Sequence, residues 1–217
     1  MAAVISVNVG RPRAVGFATA SLPETAIEKR PVGGPVRITA SGVEGNACAD
    51  ARNHGDEFMR VYAYSVEDYR WWGDQLGAEL GPGHFGEQLT TEGVDLNAAV
   101  VGETWRVGSA RLQIAHVRIP CQTFKGWMDH TGHDATSWVR RFAAAARPGP
   151  YFRVLEEGTV EAGDPIVVLD RPGHGVTVAT MFKALLTEPR LLPELLVVEG
   201  LKPWVHERAL VAATRVE

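Results

Sequence analysis

The residue best suited to chemistry is Cys121, which directly follows Pro120. His116, Arg118 and Lys125 lie close to it in the sequence. Cations near a thiol favour the thiolate, which is both a nucleophile and a soft ligand for a soft or high-valent metal. A cysteine can also serve as a small buried hydrophobic residue. The residue types alone therefore leave a functional role and a packing role open for Cys121.

The second cysteine, Cys48, lies among the small residues at positions 45–50 and has no adjacent cation. This environment predicts a packing role for Cys48. A zinc site built from Cys48, His54 and Cys121 would lack the C-x-x-C or H-x-x-x-H spacing that is usual for zinc. Two cysteines also allow at most one disulfide, unlike a small secreted scaffold. We therefore expect two free thiols.

Four basic residues are candidates for an anion site. Lys29 and Arg30 lie in an early loop, whereas His54 and Arg60 follow later in the chain. If the fold brings them together, they can bind a phosphate-like anion through charge-assisted hydrogen bonds. Each of them taken singly is typical of a solvated surface cation.

A turn framed by glycines, Gly83 to Leu89, carries Glu87. Glycine permits a left-handed backbone and the close approach of a ligand, but it also forms ordinary turns. Glu87 can orient a cofactor or substrate group, or it can brace its own turn. We favour the first role.

Composition limits the classes of function. The chain has 217 residues, 45% of them hydrophobic, and a formal net charge of −4 with both signs interspersed. These values predict one main soluble domain with no general attraction to nucleic acid or to a membrane. We find no signal-peptide pattern and no run of about 18 apolar residues, so we expect a cytoplasmic protein. The motifs of phosphate-loop, dinucleotide-binding, serine-hydrolase and zinc-protease proteins are missing.

Short β segments separated by Gly, Pro and Asn run from residue 4 to about residue 169, which predicts a mostly β fold. Thr104–Val107 and Arg111–Val117 should pair antiparallel across a Gly-Ser turn, and so should Tyr151–Glu156 and Ile166–Leu169. The other predicted strands are Val4–Val9, Val36–Thr39 and Val61–Tyr64.

Two helices are predicted to interrupt the strands. Ser65 can cap a helix whose first turn carries Glu67 and Asp68, and this helix should run to about Leu76. A second helix is predicted from about residue 136 to residue 146, before Pro148.

After Pro172 the pattern becomes helical, with predicted helices at Ala179–Thr187, Arg190–Val198 and Pro203–Ala212. We therefore expect a β-rich domain over residues 1–171 and a small helical C-terminal appendage over residues 172–217. The apolar faces of this appendage can pack on the core of the domain or form a homodimer interface.

Several short motifs occur in a fixed order between about residue 25 and residue 205. They are Gly45…Ala49-Asp50, His54-Gly55, Val61-Tyr62-Ala63-Tyr64, Phe85-Gly86-Glu87-Gln88-Leu89-Thr90-Thr91-Glu92-Gly93, Val101-Gly102, Pro120-Cys121 and Ala162-Gly163-Asp164. The ordered set resembles the MOSC domain, named after the C-terminal part of molybdenum cofactor sulfurases. The branch that it most resembles is the YiiM-like proteins, which also carry a short helical C-terminal region.

This resemblance implies a β-barrel-like MOSC fold and a bound molybdenum-pterin cofactor. The cysteine after proline, here Cys121, would be the metal ligand or the sulfur-carrying residue. Lys29, His54 and Arg60 would contact the cofactor. The family usually has a basic residue where this chain has Met59, and a side chain one position later, if already in a strand, faces the opposite side.

The resemblance also implies an activity, because YiiM-like proteins reduce N-hydroxylated compounds such as hydroxylaminopurine bases with electrons from redox partners. The first interpretation is therefore a molybdenum-dependent oxidoreductase with a small N-hydroxylated substrate and an electron-donor protein. The second is a non-catalytic carrier of the cofactor or of sulfur. The third is a relative that has lost the cofactor, as suggested by Met59 and by Asp56-Glu57.

Overall fold

The computed structural model describes residues 1–19, 22–50 and 55–214, with the backbone alone at residues 18, 19 and 22. The strands are β1 (Ala3–Val9), β2 (Arg13–Thr19), β3 (Leu22–Thr25), β4 (Arg30–Val32), β5 (Val36–Thr39), β6 (Gly42–Val43), β7 (Val61–Ser65), β8 (Leu89–Glu92), β9 (Thr104–Val107), β10 (Ala110–Val117), β11 (Pro150–Glu156), β12 (Gly158–Val160) and β13 (Ile166–Asp170). The helices are α1 (Val66–Leu76), α2 (Gln122–His130), α3 (Trp138–Ala145), α4 (Val178–Leu186) and α5 (Pro203–Ala213), with short 3-10 helices at Glu57–Met59 and Pro189–Val197.

An eight-stranded sheet with the order β13-β9-β10-β11-β7-β8-β1-β4 forms the centre of the fold. Its neighbouring strands are antiparallel except β7 and β8, which are parallel. A three-stranded sheet, β12-β5-β6, and the β2-β3 hairpin complete the β structure. The prediction of a mostly β fold with interspersed helices is confirmed.

The two predicted strand pairs have different outcomes. β9 and β10 pair antiparallel as predicted. The pairing of β11 with β13 is wrong, because β11 lies between β10 and β7 while β13 pairs with β9 at the far edge of the sheet. The short strand β12 intervenes and pairs with β5. It carries the chain away from β11 before β13 begins.

Helix α2 was not predicted, and it begins immediately after Cys121. It buries Phe124 and Met128 in the core. Gly126 lies in its middle, where a Cβ atom would come within 2.8 Å of the ring of Phe17 in β2. Glycine is a poor helix former, so the sequence pattern gives only a weak signal for α2. The missing side chain of Gly126 allows the β2-β3 hairpin to pack closely against the helix.

The predicted start of α1 is confirmed, since the Ser65 hydroxyl accepts a hydrogen bond of 3.0 Å from the Asp68 backbone N–H. The helix ends at Leu76 and is capped by Gly77, which has a φ of 62°. On its buried side, the ring of Trp72 stacks on that of Phe142 from α3, with centroids 5.7 Å apart. These aromatic contacts hold α1 and α3 together.

The C-terminal helices share one continuous hydrophobic core with the strands. Phe182, Leu195 and Val205 are completely buried in it. At the junction, Arg171 forms an ion pair of 2.6 Å with the buried Glu103. Of the two roles predicted for the appendage, packing on the core of the domain matches these contacts. Within the described residues, no helix is both long enough and apolar enough to cross a membrane.

Candidate functional site

A cavity of about 610 Å³ lies where the end of β10 meets four other parts of the chain. These are the segments 25–29 and 41–50, the 3-10 helix Glu57–Met59 with its flanking residues, and the start of α5. Cys121, Lys29, Arg60 and Arg118 all line this cavity. The fold therefore brings together a thiol and basic side chains from distant parts of the sequence.

Cys121 is half-buried and occupies the cap position at the N-terminus of α2. Its carbonyl accepts a hydrogen bond of 3.1 Å from the Lys125 backbone N–H, whereas its thiol caps no backbone group. The N-terminus of a helix carries partial positive charge. The Cys121 thiol thus borders the cavity at a helix end that attracts anionic ligands.

Lys29 is held by two acceptors in the cavity wall. Its Nζ donates to the Ala26 carbonyl at 3.0 Å and to Asn46 Oδ1 at 2.7 Å. Burial lowers the pKa of Lys29 to about 8, against an opposing effect of the Glu87 carboxylate. An ammonium has three N–H donors, so among the described contacts one donor remains for a ligand.

Two arginines add permanent positive charge. Arg60 donates from Nη1 to the Gly55 carbonyl at 2.9 Å, and Arg118 donates from Nη1 to the Phe85 carbonyl at 3.2 Å. Arg118 is only 6% exposed, and its guanidinium lies over the Phe124 ring at 4.7 Å. Within the described part of the chain, the Nε of each arginine is buried without an acceptor. Buried, charged donors without acceptors are suited to an anionic ligand.

One carboxylate on the cavity wall, that of Asp56, is paired with a cation from the protein itself. Asp56 Oδ2 forms an ion pair of 2.6 Å with Nζ of Lys202, which comes from the C-terminal segment. The same Nζ lies 3.3 Å from Sδ of Met59. Lys202 therefore offsets the negative charge of Asp56 and places a cation beside Met59.

Comparison with known proteins identifies the family. The model of the MOSC domain matches residues 50–167, which is more than half of the chain. This chain belongs to the MOSC domain family. Its relatives include the uncharacterized protein YflK of Bacillus subtilis, which is 31% identical over 81% of this chain and 76% of its own length.

Further similarities concern YiiM proteins and a reductase. Protein YiiM of Escherichia coli is 26% identical over 68% of this chain and 65% of its own length. A Gibberella moniliformis protein named reductase is 30% identical over 68% of this chain but only 26% of its own length. The crystal structure of YiiM from Geobacillus stearothermophilus shares the fold, with a TM-score of 0.78 and 22% identity over 98% of this chain and 99% of the other.

Among the predicted site residues of this MOSC domain, Cys121, Lys29 and Arg60 meet at the cavity. Strand β7 begins at Val61, so Arg60 precedes the alternation of the strand and lines the cavity together with Met59. Arg30 is exposed and pairs with Glu28 at 2.6 Å instead. His54 lies outside the described residues.

Glu87 lies outside the cavity, contrary to the role that we favoured from sequence. It is completely buried, and burial raises its pKa. Its carboxylate accepts hydrogen bonds from Tyr69 Oη at 2.6 Å, Gly83 N at 2.6 Å and Thr90 Oγ1 at 2.7 Å. Glu87 therefore braces the turn that carries it, which was the alternative role.

Several residues of the MOSC cavity were missed. Cys48 was predicted to pack in the core, but it is exposed and lines the cavity, because the segment 41–50 forms a cavity wall. Arg118 had a signal in the sequence, since it is a charged residue in an otherwise apolar stretch. Lys202 and Trp204 had none, because only the folded chain brings the appendage to the cavity. Among the described residues, no three His, Cys, Asp or Glu side chains are grouped closely enough to hold a metal ion by themselves.

Proposed function

We propose that this MOSC domain binds a molybdenum-pterin cofactor in the cavity and that Cys121 is a ligand of the metal. The observation that carries the proposal is that one cavity joins the Cys121 thiol to the basic side chains of Lys29, Arg60 and Arg118. A thiolate suits a soft or high-valent metal, and charge-assisted donors suit the phosphate of a pterin cofactor.

The donor set fits such a group. Lys29 and the guanidinium groups of Arg60 and Arg118, which all line the cavity, would hold its anionic end. Asn46 would fix the direction of the Lys29 ammonium, since its Oδ1 already accepts one N–H. When bound, the cofactor would supply the two-electron redox chemistry that side chains cannot supply.

The proposed activity is the reduction of N-hydroxylated bases or related N-oxygenated compounds, with electrons from a separate redox protein. In this reaction two electrons and two protons break the N–O bond, leaving an N–H group and releasing the oxygen as water. The similarity to YiiM and to a protein named reductase supports this class of reaction. The cavity volume of about 610 Å³ is also in the range of small-molecule sites.

A turnover assay tests the activity. Protein from a host that makes the cofactor is mixed with a reduced viologen dye and hydroxylaminopurine, and dye oxidation and amine formation are followed together. We expect two one-electron equivalents of dye per amine and no turnover for Cys121→Ala. Bound molybdenum without turnover would favour the alternative, a non-catalytic carrier of the cofactor or of sulfur.

A further inference from the structure

Trp204 is an aromatic side chain from the C-terminal segment that lines the cavity. It lies in the first turn of α5 and is 37% exposed. A single exposed tryptophan needs no special explanation on a protein surface. Trp204 differs because its exposed part borders the same cavity as Cys121 and the basic residues.

The surrounding contacts fix the start of α5. Pro203 occupies the first turn of the helix, and Val205 is completely buried beneath it. Lys202 is tied to Asp56 at 2.6 Å, and the Gly200 carbonyl accepts a bond of 2.7 Å from Arg153 Nη2. The backbone that carries Trp204 is therefore anchored to the rest of the domain, which lowers the entropic cost of binding a ligand there.

Part of the Trp204 side chain is not covered by the protein. Its ring meets the His116 ring edge to face, with centroids 5.6 Å apart and planes at 86°. In a perpendicular contact the partner covers at most one face of the indole. Because Trp204 is 37% exposed and lines the cavity, a planar ring in the cavity would reach the indole and stack on it by offset packing of the two π systems.

The side chains that line the cavity differ in how exposed they are. Arg118 is 6% exposed, whereas Trp204 is 37% exposed. An anionic cofactor would lie against the cations, the buried Arg118 among them. Trp204 is one of the lining side chains that a molecule arriving from solvent can reach.

From this arrangement we propose that Trp204 is a specificity-determining residue, on which planar, π-rich N-hydroxylated substrates stack in the cavity. This inference rests on the proposed function. It assigns the C-terminal segment a direct part in the site. Stacking recognises the flat face of a ring rather than its hydroxylamino group, so non-planar hydroxylamines would gain nothing from Trp204.

Binding without turnover tests this inference. Calorimetric titration of the oxidised protein, purified from a cofactor-competent host, is done with hydroxylaminopurine and with N-cyclohexylhydroxylamine. Trp204→Leu keeps apolar area but removes the π face, and Trp204→Phe restores a face. Leu210→Ala is the matched control, because Leu210 is 46% exposed on the same helix outside the cavity.

We expect Trp204→Leu to weaken binding of the purine about tenfold, Trp204→Phe to stay within about threefold of the wild type, and the cyclohexyl compound to be unaffected. Equal losses for both compounds, or no loss for the purine, would overturn the inference. Loss of molybdenum from Trp204→Leu would also overturn it, because the ring would then contact the cofactor. Since no turnover is needed, a protein without reductase activity still gives a decisive result.

Discussion

Lys29 is a cavity residue whose charge depends on what the cavity contains. Burial holds its pKa at about 8, so a substantial part of the side chain is neutral in mildly alkaline solution. An anion beside the ammonium would favour the charged form and raise the pKa. The binding of an anion and the protonation of Lys29 are therefore linked.

This linkage predicts how anion affinity depends on pH. Sulfate, whose charge is constant in this range, should bind best below pH 8, and its affinity should fall about tenfold per pH unit once Lys29 loses its proton above that value. Lys29→Met should bind sulfate weakly and without this pH dependence, since arginines do not titrate here. Calorimetric titration at low ionic strength would measure both. A sulfate affinity that stays constant to pH 10 would show that Lys29 is not an anion ligand.

The sequence supplied part of this site. The Pro-Cys motif and Lys29 were found because their residue types and order match a known pattern. Arg118 was placed near Cys121 but not assigned to the site, because a charged residue at the end of an apolar strand can equally well face solvent. Glu87 was misassigned because a buried carboxylate that accepts three hydrogen bonds has the same sequence signature as one that contacts a ligand.

At the scale of elements, the turn from Gly83 to Glu87 has a tightly defined hydrogen-bonding pattern. The Glu87 carboxylate accepts a hydrogen bond from the Gly83 backbone N–H within the turn itself. The Phe85 backbone N–H donates a hydrogen bond of 2.9 Å to the Tyr69 hydroxyl. The Phe85 carbonyl in turn accepts from Arg118. The turn thus positions a cavity cation although Glu87 never reaches the cavity.

This arrangement predicts the effect of changing Glu87. Glu87→Ala should lower the free energy of unfolding by about 3 kcal/mol, because it leaves buried donors unsatisfied. Glu87→Gln should cost less, because the Tyr69 and Thr90 hydroxyls can reorient toward an amide, and it should keep the molybdenum content. Urea denaturation and metal analysis would test both. A Glu87→Gln protein that is stable but contains no cofactor would show that Glu87 contributes to cofactor binding.

The elements that the sequence did not reveal are those set by distant contacts. The pairing of β13 with β9 depends on β12 joining β5, which lies more than one hundred residues earlier in the chain. Helix α2 depends on close packing between Gly126 and Phe17. Local periodicity carries no information on either contact.

At the scale of the whole molecule, the C-terminal segment belongs to the same core as the strands. Its buried side chains, including Met181, Phe182 and Leu185, would be exposed if the chain ended at residue 171. Lys202 and Trp204 also complete the cavity. The sequence pattern of residues 172–214 differs from that of the β-rich part, but in the structure this segment contributes to the same core and to the same cavity.

A single cooperative unfolding transition follows from this shared core. Calorimetry should give equal calorimetric and van't Hoff enthalpies for the full chain, and a chain ending at residue 171 should not reach a cooperatively folded state. Two separate transitions, or a stable fragment 1–171 with native circular dichroism, would show that the segment folds independently.

The central claim is that Cys121 meets the molybdenum of a bound pterin cofactor. The most direct measurement is the molybdenum and pterin content, with X-ray absorption at the metal, of the wild type, Cys121→Ala and Cys48→Ala from a cofactor-competent host. We expect near-stoichiometric metal in the wild type and in Cys48→Ala, which removes the other thiol of the cavity, and loss of metal or of its protein thiolate signal in Cys121→Ala. No molybdenum in the wild type, or an unchanged thiolate signal in Cys121→Ala, would contradict the claim.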